Sequence, residues 1–160
     1  MRFINWAAPA AALFAVHAFT ATPVALADNK RLNDSVVVNV RTMQYQAGCP
    51  TEVQPDPRLQ VAAQRHARDV LNNHNLQGDI GSDQSTPQQR AEEAGYRGRA
   101  RETVAINPAL AINGIEILNQ WYYNPAYFAI MSDCGNTAIG VWSENSLTRT
   151  VVVAVYGSPA

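Results

Sequence analysis

The sequence contains little charge, almost no lysine and no basic run. Only 16% of its 160 residues are charged, the formal net charge is −1, and lysine occurs once, at Lys30. Proteins that bind nucleic acid present clustered Lys and Arg side chains to the phosphate backbone. We therefore expect no nucleic-acid partner.

Cysteine is equally scarce: Cys49 and Cys134 are the only two. A dense disulfide scaffold is excluded, because two cysteines allow only one internal pairing. That pairing is favoured if the chain enters an oxidising compartment, and the alternatives are free thiols or an intermolecular bridge. We predict the internal disulfide Cys49–Cys134.

A long uninterrupted apolar run is also missing, although the N-terminus comes close to one. Arg2 gives a positive start, residues 7–19 are apolar and rich in alanine, and residues 25–27 read Ala-Leu-Ala, as signal peptidase sites do. Two prolines and a histidine interrupt this segment, which argues against the alternative of a retained membrane anchor. We predict a signal peptide over residues 1–27 and a single domain over residues 28–160. Such a chain is secreted, to the extracellular space or the cell envelope, and touches the membrane only during export.

Four segments carry the signals of helices. The clearest begins at Asp56-Pro57, a cap residue followed by proline, and ends near Asn72. Its apolar stripe has spacings of three and four: Leu59, Ala62, Ala63, His66 and Val70. Similar cap residues predict three more helices, which begin after Asn33-Asp34-Ser35, after Ser85-Thr86-Pro87 and at Asn107-Pro108. For the first of these a strand is the alternative, because residues 36–38 are three consecutive valines.

The last third of the chain changes to a strand pattern. Residues 137–143 and 149–156 are rich in β-branched and aromatic residues, and the polar residues 144–146 lie between them. This pattern predicts an antiparallel hairpin, to which residues 102–106 add a third strand. Helices come first and paired strands last, which indicates the α+β class.

The residues offer no obvious catalytic or metal site. His66 and His74 lie eight residues apart, about 12 Å along one helix, so they do not share a metal ion. We expect His66 to be a hydrogen-bonded core histidine. The sequence lacks a G-x-S-x-G elbow, a phosphate-binding loop and an H-E-x-x-H motif. Residues 78–83 resemble the start of a calcium loop but lack its alternating ligands, which indicates an ordinary polar turn.

Several short motifs occur in a recognisable order. Residues 56–67 read DPRLQVAAQRHA, and residues 81–90 read GSDQSTPQQR, followed by Ala94-Gly95-Tyr96. Residues 101–105 read RETVA, and residues 121–131 read WYYNPAYFAIM, followed by Gly140-Val141-Trp142. This order resembles the CAP superfamily of cysteine-rich secretory, antigen-five and pathogenesis-related proteins. The resemblance is greatest to the secreted bacterial branch, above all its actinobacterial members.

The resemblance implies a three-layer α/β/α sandwich with a small antiparallel sheet flanked by helices. It also supports the disulfide, because actinobacterial members often place cysteines near the positions of Cys49 and Cys134. Members of the superfamily commonly surround a central cavity with two histidines and two acidic residues, and some bind a divalent metal there. Here Asp79 and Tyr127 stand at the two histidine positions, and Glu102 keeps the glutamate of the G-E-N motif.

These departures shape the functional expectation. A zinc site needs neutral imidazole or thiolate ligands, so we expect neither metal nor cofactor. Asp79, Glu102 and Tyr127 remain as a candidate cavity, with no residue assigned as catalytic. The sequence favours a monomeric, non-catalytic binding module for lipid or an envelope protein. An aromatic cluster could line its groove: Trp121, Tyr122, Tyr123, Tyr127 and Phe128.

Two other functions stay open. The first is an envelope hydrolase that uses a carboxylate-lined cleft, since a close carboxylate pair can perform acid–base chemistry. The second is a structural or signalling partner in the envelope that is recognised through the polar loops 78–85 and 95–101. The second loop carries the local basic cluster Arg97, Arg99 and Arg101.

Overall fold

A computed structural model describes the backbone of residues 24–108 and 113–160, and the side chains from Asn29 onward within those ranges. The helices are α1 Val24–Gln46, α2 Pro57–Asn72, α3 Pro87–Glu93, α4 Gly114–Tyr122 and α5 Pro125–Met131. The strands are β1 Gln54–Pro55, β2 Arg99–Asn107, β3 Ala138–Asn145 and β4 Thr150–Ser158. Most of the predicted signal peptide lies outside the described residues, so it stays a prediction. No helix among the described residues is long and apolar enough to cross a bilayer.

Helices α2 and α3 begin where their cap residues predict. The Asp56 carboxylate accepts from the Arg58 main-chain N–H at 2.8 Å, and Pro57 occupies the first turn of α2. Thr86 and Gln89 cap α3 reciprocally, and Gly95, at φ +89°, follows its end. The predicted stripe of α2 is buried as one face.

Two predicted helix starts are wrong. Helix α1 does not begin at residues 33–35 but runs through them from Val24. The Ser35 hydroxyl donates to the Leu32 carbonyl oxygen at 2.8 Å, so it is satisfied inside the helix instead of capping one. Asn107 ends strand β2, and α4 begins at Gly114, where Asn113 and Glu116 form the capping box. The intervening residues 109–112 lie outside the described part of the chain.

One helix was missed. Asn124 accepts from the main-chain N–H groups of Ala126 and Tyr127, and with Pro125 it begins α5 directly after α4 ends. The Asn-Pro pair therefore ends one helix and caps the next. This short helix brings Tyr127 to the sheet.

The strands form one four-stranded sheet in the order β1-β3-β4-β2. The predicted hairpin of β3 and β4 is confirmed, and β2 pairs antiparallel with the other side of β4. The two residues of β1 were not predicted and pair in parallel with Ala138 and Ile139 of β3, so the sheet is mixed. Beyond Ile139, β3 has no outer strand partner among the described residues.

The sheet is covered on both faces, which confirms the three-layer sandwich. Val152, Ala154 and Tyr156 of β4 point into the core shared with α1, α4 and α5. Val151, Val153 and Val155 point into the core shared with α2 and α3. Packing against α2 is close at Gly140, where a Cβ atom would lie 2.0 Å from the Gln60 main-chain nitrogen. Alternation along β4 thus assigns each helix layer its own core.

The disulfide Cys49–Cys134 is present, as predicted. Cys49 follows the C-terminal end of α1, and Cys134 lies between α5 and β3. The bond therefore ties the first helix to the segment that leads into the hairpin.

Removing the disulfide should lower stability and leave the fold in place. The bond closes a separation of 85 residues, for which the chain-entropy relation gives at most about 4.5 kcal/mol. Urea unfolding of the double variant Cys49→Ser, Cys134→Ser should show this decrease, with an unchanged far-ultraviolet spectrum. Reductant should destabilise the native protein and leave the double variant unaffected. Equal stability of the two proteins would contradict this account of the bond.

Candidate functional site

Glu102 lies in the interior of the molecule. It lies on the same face of β2 as Ala100 and Val104, so its side chain points toward α2 and α3. Only 1% of the residue is exposed. A carboxyl group buried to this extent requires hydrogen-bond donors close by.

Arg90 supplies those donors. Nη2 of Arg90 lies 3.1 Å from each carboxylate oxygen of Glu102. The arginine is 2% exposed because α3 presents one face, with Pro87, Arg90 and Ala91, to the core. No sequence motif predicted a role for Arg90, although its position three residues after Pro87 places it on that buried face.

Arg90 also holds the loop between α2 and α3. Its Nη2 donates to the Asp79 carbonyl oxygen at 2.6 Å, and its Nη1 donates to the Ser85 carbonyl oxygen at 2.7 Å. One guanidinium therefore joins both ends of the loop 79–85 to the buried carboxyl group of Glu102. This loop is the polar turn that residues 78–83 predict.

A second buried side chain, His66 of α2, also contacts the segment between α2 and α3. His66 Nε2 lies 2.9 Å from the Gly78 carbonyl oxygen, which only accepts hydrogen bonds, so Nε2 carries the proton. The same nitrogen lies 3.3 Å from Oε1 of Glu102. His66 is thus a hydrogen-bonded core histidine, as predicted. His74 lies beyond the end of α2 and contributes nothing to this cluster.

Burial shifts the pKa values of both groups. Desolvation raises the pKa of Glu102 to about 8, although Arg90 opposes this shift. Desolvation and the positive charge of Arg90 together lower the pKa of His66. The Nδ1 atom of His66 is buried and has no hydrogen-bond partner within the described part of the chain, so protonation there would place an unsatisfied donor in the core.

The three candidate cavity residues lie near one another but have different surroundings. Glu102 is fully buried, whereas Asp79 is exposed and contributes its carbonyl oxygen, not its carboxylate, to the Arg90 contact. Tyr127 is half-buried on α5. Burial raises the pKa of Tyr127, the main chain of Val104 offsets part of this effect, and the charges of Asp79 and Glu102 add to it. The charge of Asp79 also contributes to the raised pKa of Glu102, so the two carboxyl groups interact electrostatically.

This set of side chains does not fit a divalent cation. His66 Nε2 donates its hydrogen bond to the Gly78 carbonyl oxygen and is therefore not free to bind a metal ion. Both oxygens of Glu102 accept from the Arg90 guanidinium, whose positive charge would repel a metal ion. Across residues 24–108 and 113–160, no three His, Cys, Asp or Glu side chains form a group that could hold a metal. Arg90 occupies the position next to Glu102 that a cation would need.

Comparisons with known proteins agree with the fold. The sequence profile of the cysteine-rich secretory protein family, CAP, matches residues 35–156. No curated protein sequence matches the chain.

Solved structures share the fold at low sequence identity. An outer surface protein from Borrelia burgdorferi has a TM-score of 0.70 at 16% identity, over 82% of this chain and 95% of that one. An extracellular protein with an SCP domain from Bacillus anthracis has a TM-score of 0.69 at 15% identity, over 88% of this chain and 45% of that one. A cysteine-rich secretory protein from Staphylococcus aureus has a TM-score of 0.60 at 8% identity, over 81% and 39%.

Replacing Arg90 should destabilise the fold far more than replacing an exposed arginine. Arg90→Met leaves Glu102 and the Asp79 carbonyl group without the guanidinium that donates to them, at a cost of about 3 kcal/mol or more. Arg65→Met is the matched control, because Arg65 forms only exposed ion pairs with Asp83 and Glu93 and should cost less than about 1 kcal/mol. Urea unfolding measures both. Similar values for the two variants would contradict the role given to Arg90.

Stability should decrease between pH 6.5 and 8. The raised pKa of Glu102 gives a contribution that is full below its ordinary pKa of 4.5 and is lost as the pH rises through about 8. The lowered pKa of His66 gives a contribution that is present above 6.5 and is lost below it. The two effects oppose each other below pH 6.5, and only Glu102 acts above it. Urea titrations should show the decrease in the native protein and its absence in Glu102→Gln; a flat native profile over this range would contradict the raised pKa.

Proposed function

We propose that this chain, which belongs to the cysteine-rich secretory protein (CAP) family, is an extracellular, non-catalytic binding module for lipid or a partner protein. An extracellular location is supported by the outer-surface and extracellular proteins that share the fold. The predicted signal peptide points to the same location. The observation that carries the binding role is an aromatic surface that the fold leaves exposed.

This aromatic surface consists of Ile115, Tyr122, Tyr123 and Phe128. Ile115 and Tyr122 lie seven residues apart and therefore share one face of α4. Tyr122 packs edge to face against both Tyr123 and Phe128, with ring centroids 5.3 and 5.2 Å apart. Tyr123 remains 79% exposed. Trp121, by contrast, is fully buried and belongs to the core.

Aromatic side chains held in this way suit the recognition of an apolar ligand. The edge-to-face contacts fix the rings before binding, so little conformational entropy is lost when a partner covers them. Tyrosine offers an apolar ring together with a polar hydroxyl, which favours its use at both protein and lipid interfaces.

The hydrolase alternative receives less support from the site. A general acid or base must come within hydrogen-bond distance of the group that it serves. Glu102 is buried beneath the loop 79–85, and both of its oxygens face Arg90. Asp79 is exposed, whereas the Glu102 carboxyl group with which it interacts is buried, so the two groups do not face solvent together.

A photo-crosslinking experiment tests the proposed binding surface. The photoreactive residue p-benzoylphenylalanine replaces Tyr123 in one variant and Tyr45 in the other, since Tyr45 is a tyrosine of similar exposure, 82%, on a different helix. Illumination of intact producing cells should give a discrete adduct at position 123 and none at position 45. Mass spectrometry then distinguishes a lipid adduct from a protein adduct.

Two results would overturn the proposal. One is the absence of any adduct at position 123; the other is the same mixture of adducts at both positions, which indicates contact by chance. Melting curves of both variants show whether the substitutions leave the fold intact.

A further inference from the structure

The start of α4 contains a chemically reactive pair of residues, Asn113-Gly114, which is the single Asn-Gly pair in the sequence. In such a pair the main-chain nitrogen of the glycine can attack the side-chain carbonyl carbon of the asparagine. Glycine permits this approach because it has no Cβ and a wide range of backbone dihedral angles. Asn113 is exposed, so water also reaches the pair. The pair can therefore change covalently without an enzyme or a cofactor.

Packing against α1 explains why a glycine stands at position 114. A Cβ atom there would lie 2.6 Å from Oγ of Ser35 and 3.2 Å from Nδ2 of Asn39. Nδ2 of Asn39 also donates to the Gly114 carbonyl oxygen at 3.4 Å. A larger residue would displace these side chains or separate the two helices. The contact between α1 and α4 therefore requires the glycine that makes Asn113 reactive.

The cap of α4 holds Asn113 in an unreactive arrangement. Its Oδ1 accepts from the main-chain N–H groups of Ile115 and Glu116, both at 3.0 Å. The Glu116 carboxylate accepts in return from the Asn113 main-chain N–H at 3.0 Å. With ψ at 164° the Asn113 backbone is extended, so the Gly114 nitrogen reaches the side-chain Cγ only after a rotation about the Cα–C bond. This rotation requires release of the cap, and the capping box therefore controls the rate of attack.

We infer that Asn113-Gly114 is a site of spontaneous deamidation, which the capping box of α4 slows. In the first step the Gly114 nitrogen loses its proton and forms a bond to Cγ of Asn113. The bond from Cγ to the side-chain nitrogen breaks, ammonia leaves, and a succinimide ring remains. A water molecule then opens the ring at Cγ, which gives aspartate, or at the main-chain carbonyl carbon, which gives isoaspartate. Water is consumed and ammonia is released in equal amounts, and no oxidant or reductant takes part.

The two products should affect α4 in opposite ways. Aspartate keeps an oxygen at the cap and adds a negative charge at the helix N-terminus, where the helix dipole favours it. Isoaspartate routes the main chain through Cβ and Cγ and so lengthens it by a single carbon before Gly114. The cap and the contact of Gly114 with Asn39 then no longer fit together, and the first turn of α4, which carries Ile115, should fray. This change is independent of whatever binds the aromatic surface.

Peptide mapping by mass spectrometry tests the site in the whole protein. The protein is stored in mildly alkaline buffer, which favours loss of the amide proton, in one sample folded and in the other unfolded in guanidinium chloride. Asn124 is the internal control, because it caps α5 through the N–H groups of Ala126 and Tyr127. The next residue is Pro125, whose nitrogen carries no hydrogen and cannot close the ring.

Asn113 should convert to a mixture of aspartate and isoaspartate in both samples, and Asn124 should stay an amide. Conversion should be roughly fivefold slower in the folded protein, the factor that a cap of ordinary strength gives. Fragmentation by electron transfer distinguishes the two products. The inference is overturned if Asn113 of the folded protein is still an amide when the unfolded sample has converted completely, or if Asn124 converts as fast as Asn113.

Variants of the capping box separate the cap from the chemistry. Glu116→Ala removes the reciprocal hydrogen bond, so the folded protein should deamidate a few-fold faster. Gln120→Ala, at an exposed position on the same helix, is the matched control and should leave the rate unchanged. Asn113→Ser keeps a capping hydroxyl without an amide, so it should retain the melting temperature of fresh native protein throughout storage. Equal rates for Glu116→Ala and the native protein would exclude control by the capping box.

Discussion

The contact between Arg90 and Glu102 is the constraint on which the middle of this fold depends. A buried carboxyl group and a buried guanidinium are each costly to desolvate alone, and each is tolerated here because the other lies 3.1 Å away. The same guanidinium holds the Asp79 and Ser85 carbonyl groups. The Arg90 side chain therefore connects the sheet, helix α3 and the loop 79–85. Glu102, which the sequence predicts to line a cavity, is here part of the interior.

Local signals explain why much of the fold could be predicted. Asp56-Pro57 and Thr86-Pro87 specify helix starts through hydrogen bonds within a few residues, and the valine-rich end of the chain specifies paired strands. The errors occur where contacts between residues distant in sequence determine the secondary structure. Residues 33–35 have cap side chains but lie inside a helix that packs along the sheet, and β1 exists only because β3 lies beside it.

The candidate site was less predictable for the same reason. The resemblance to the family indicated Glu102, Asp79 and Tyr127 by position, yet position does not say whether a carboxylate faces solvent or a guanidinium. The motif over residues 81–90 contains Arg90 but does not indicate its role, because its partner Glu102 lies twelve residues away on another element.

The complete burial of β4 has a consequence for the unfolded chain. Residues 151–156 are six apolar residues without a charge or a proline, the composition that forms cross-β aggregates when left exposed. In the native sheet both edges of this strand are paired and both of its faces are covered. Arg149 and Pro159 stand on either side of the segment as gatekeepers. The strand that contributes most to the core is thus also the segment whose exposure before folding carries the greatest risk of aggregation.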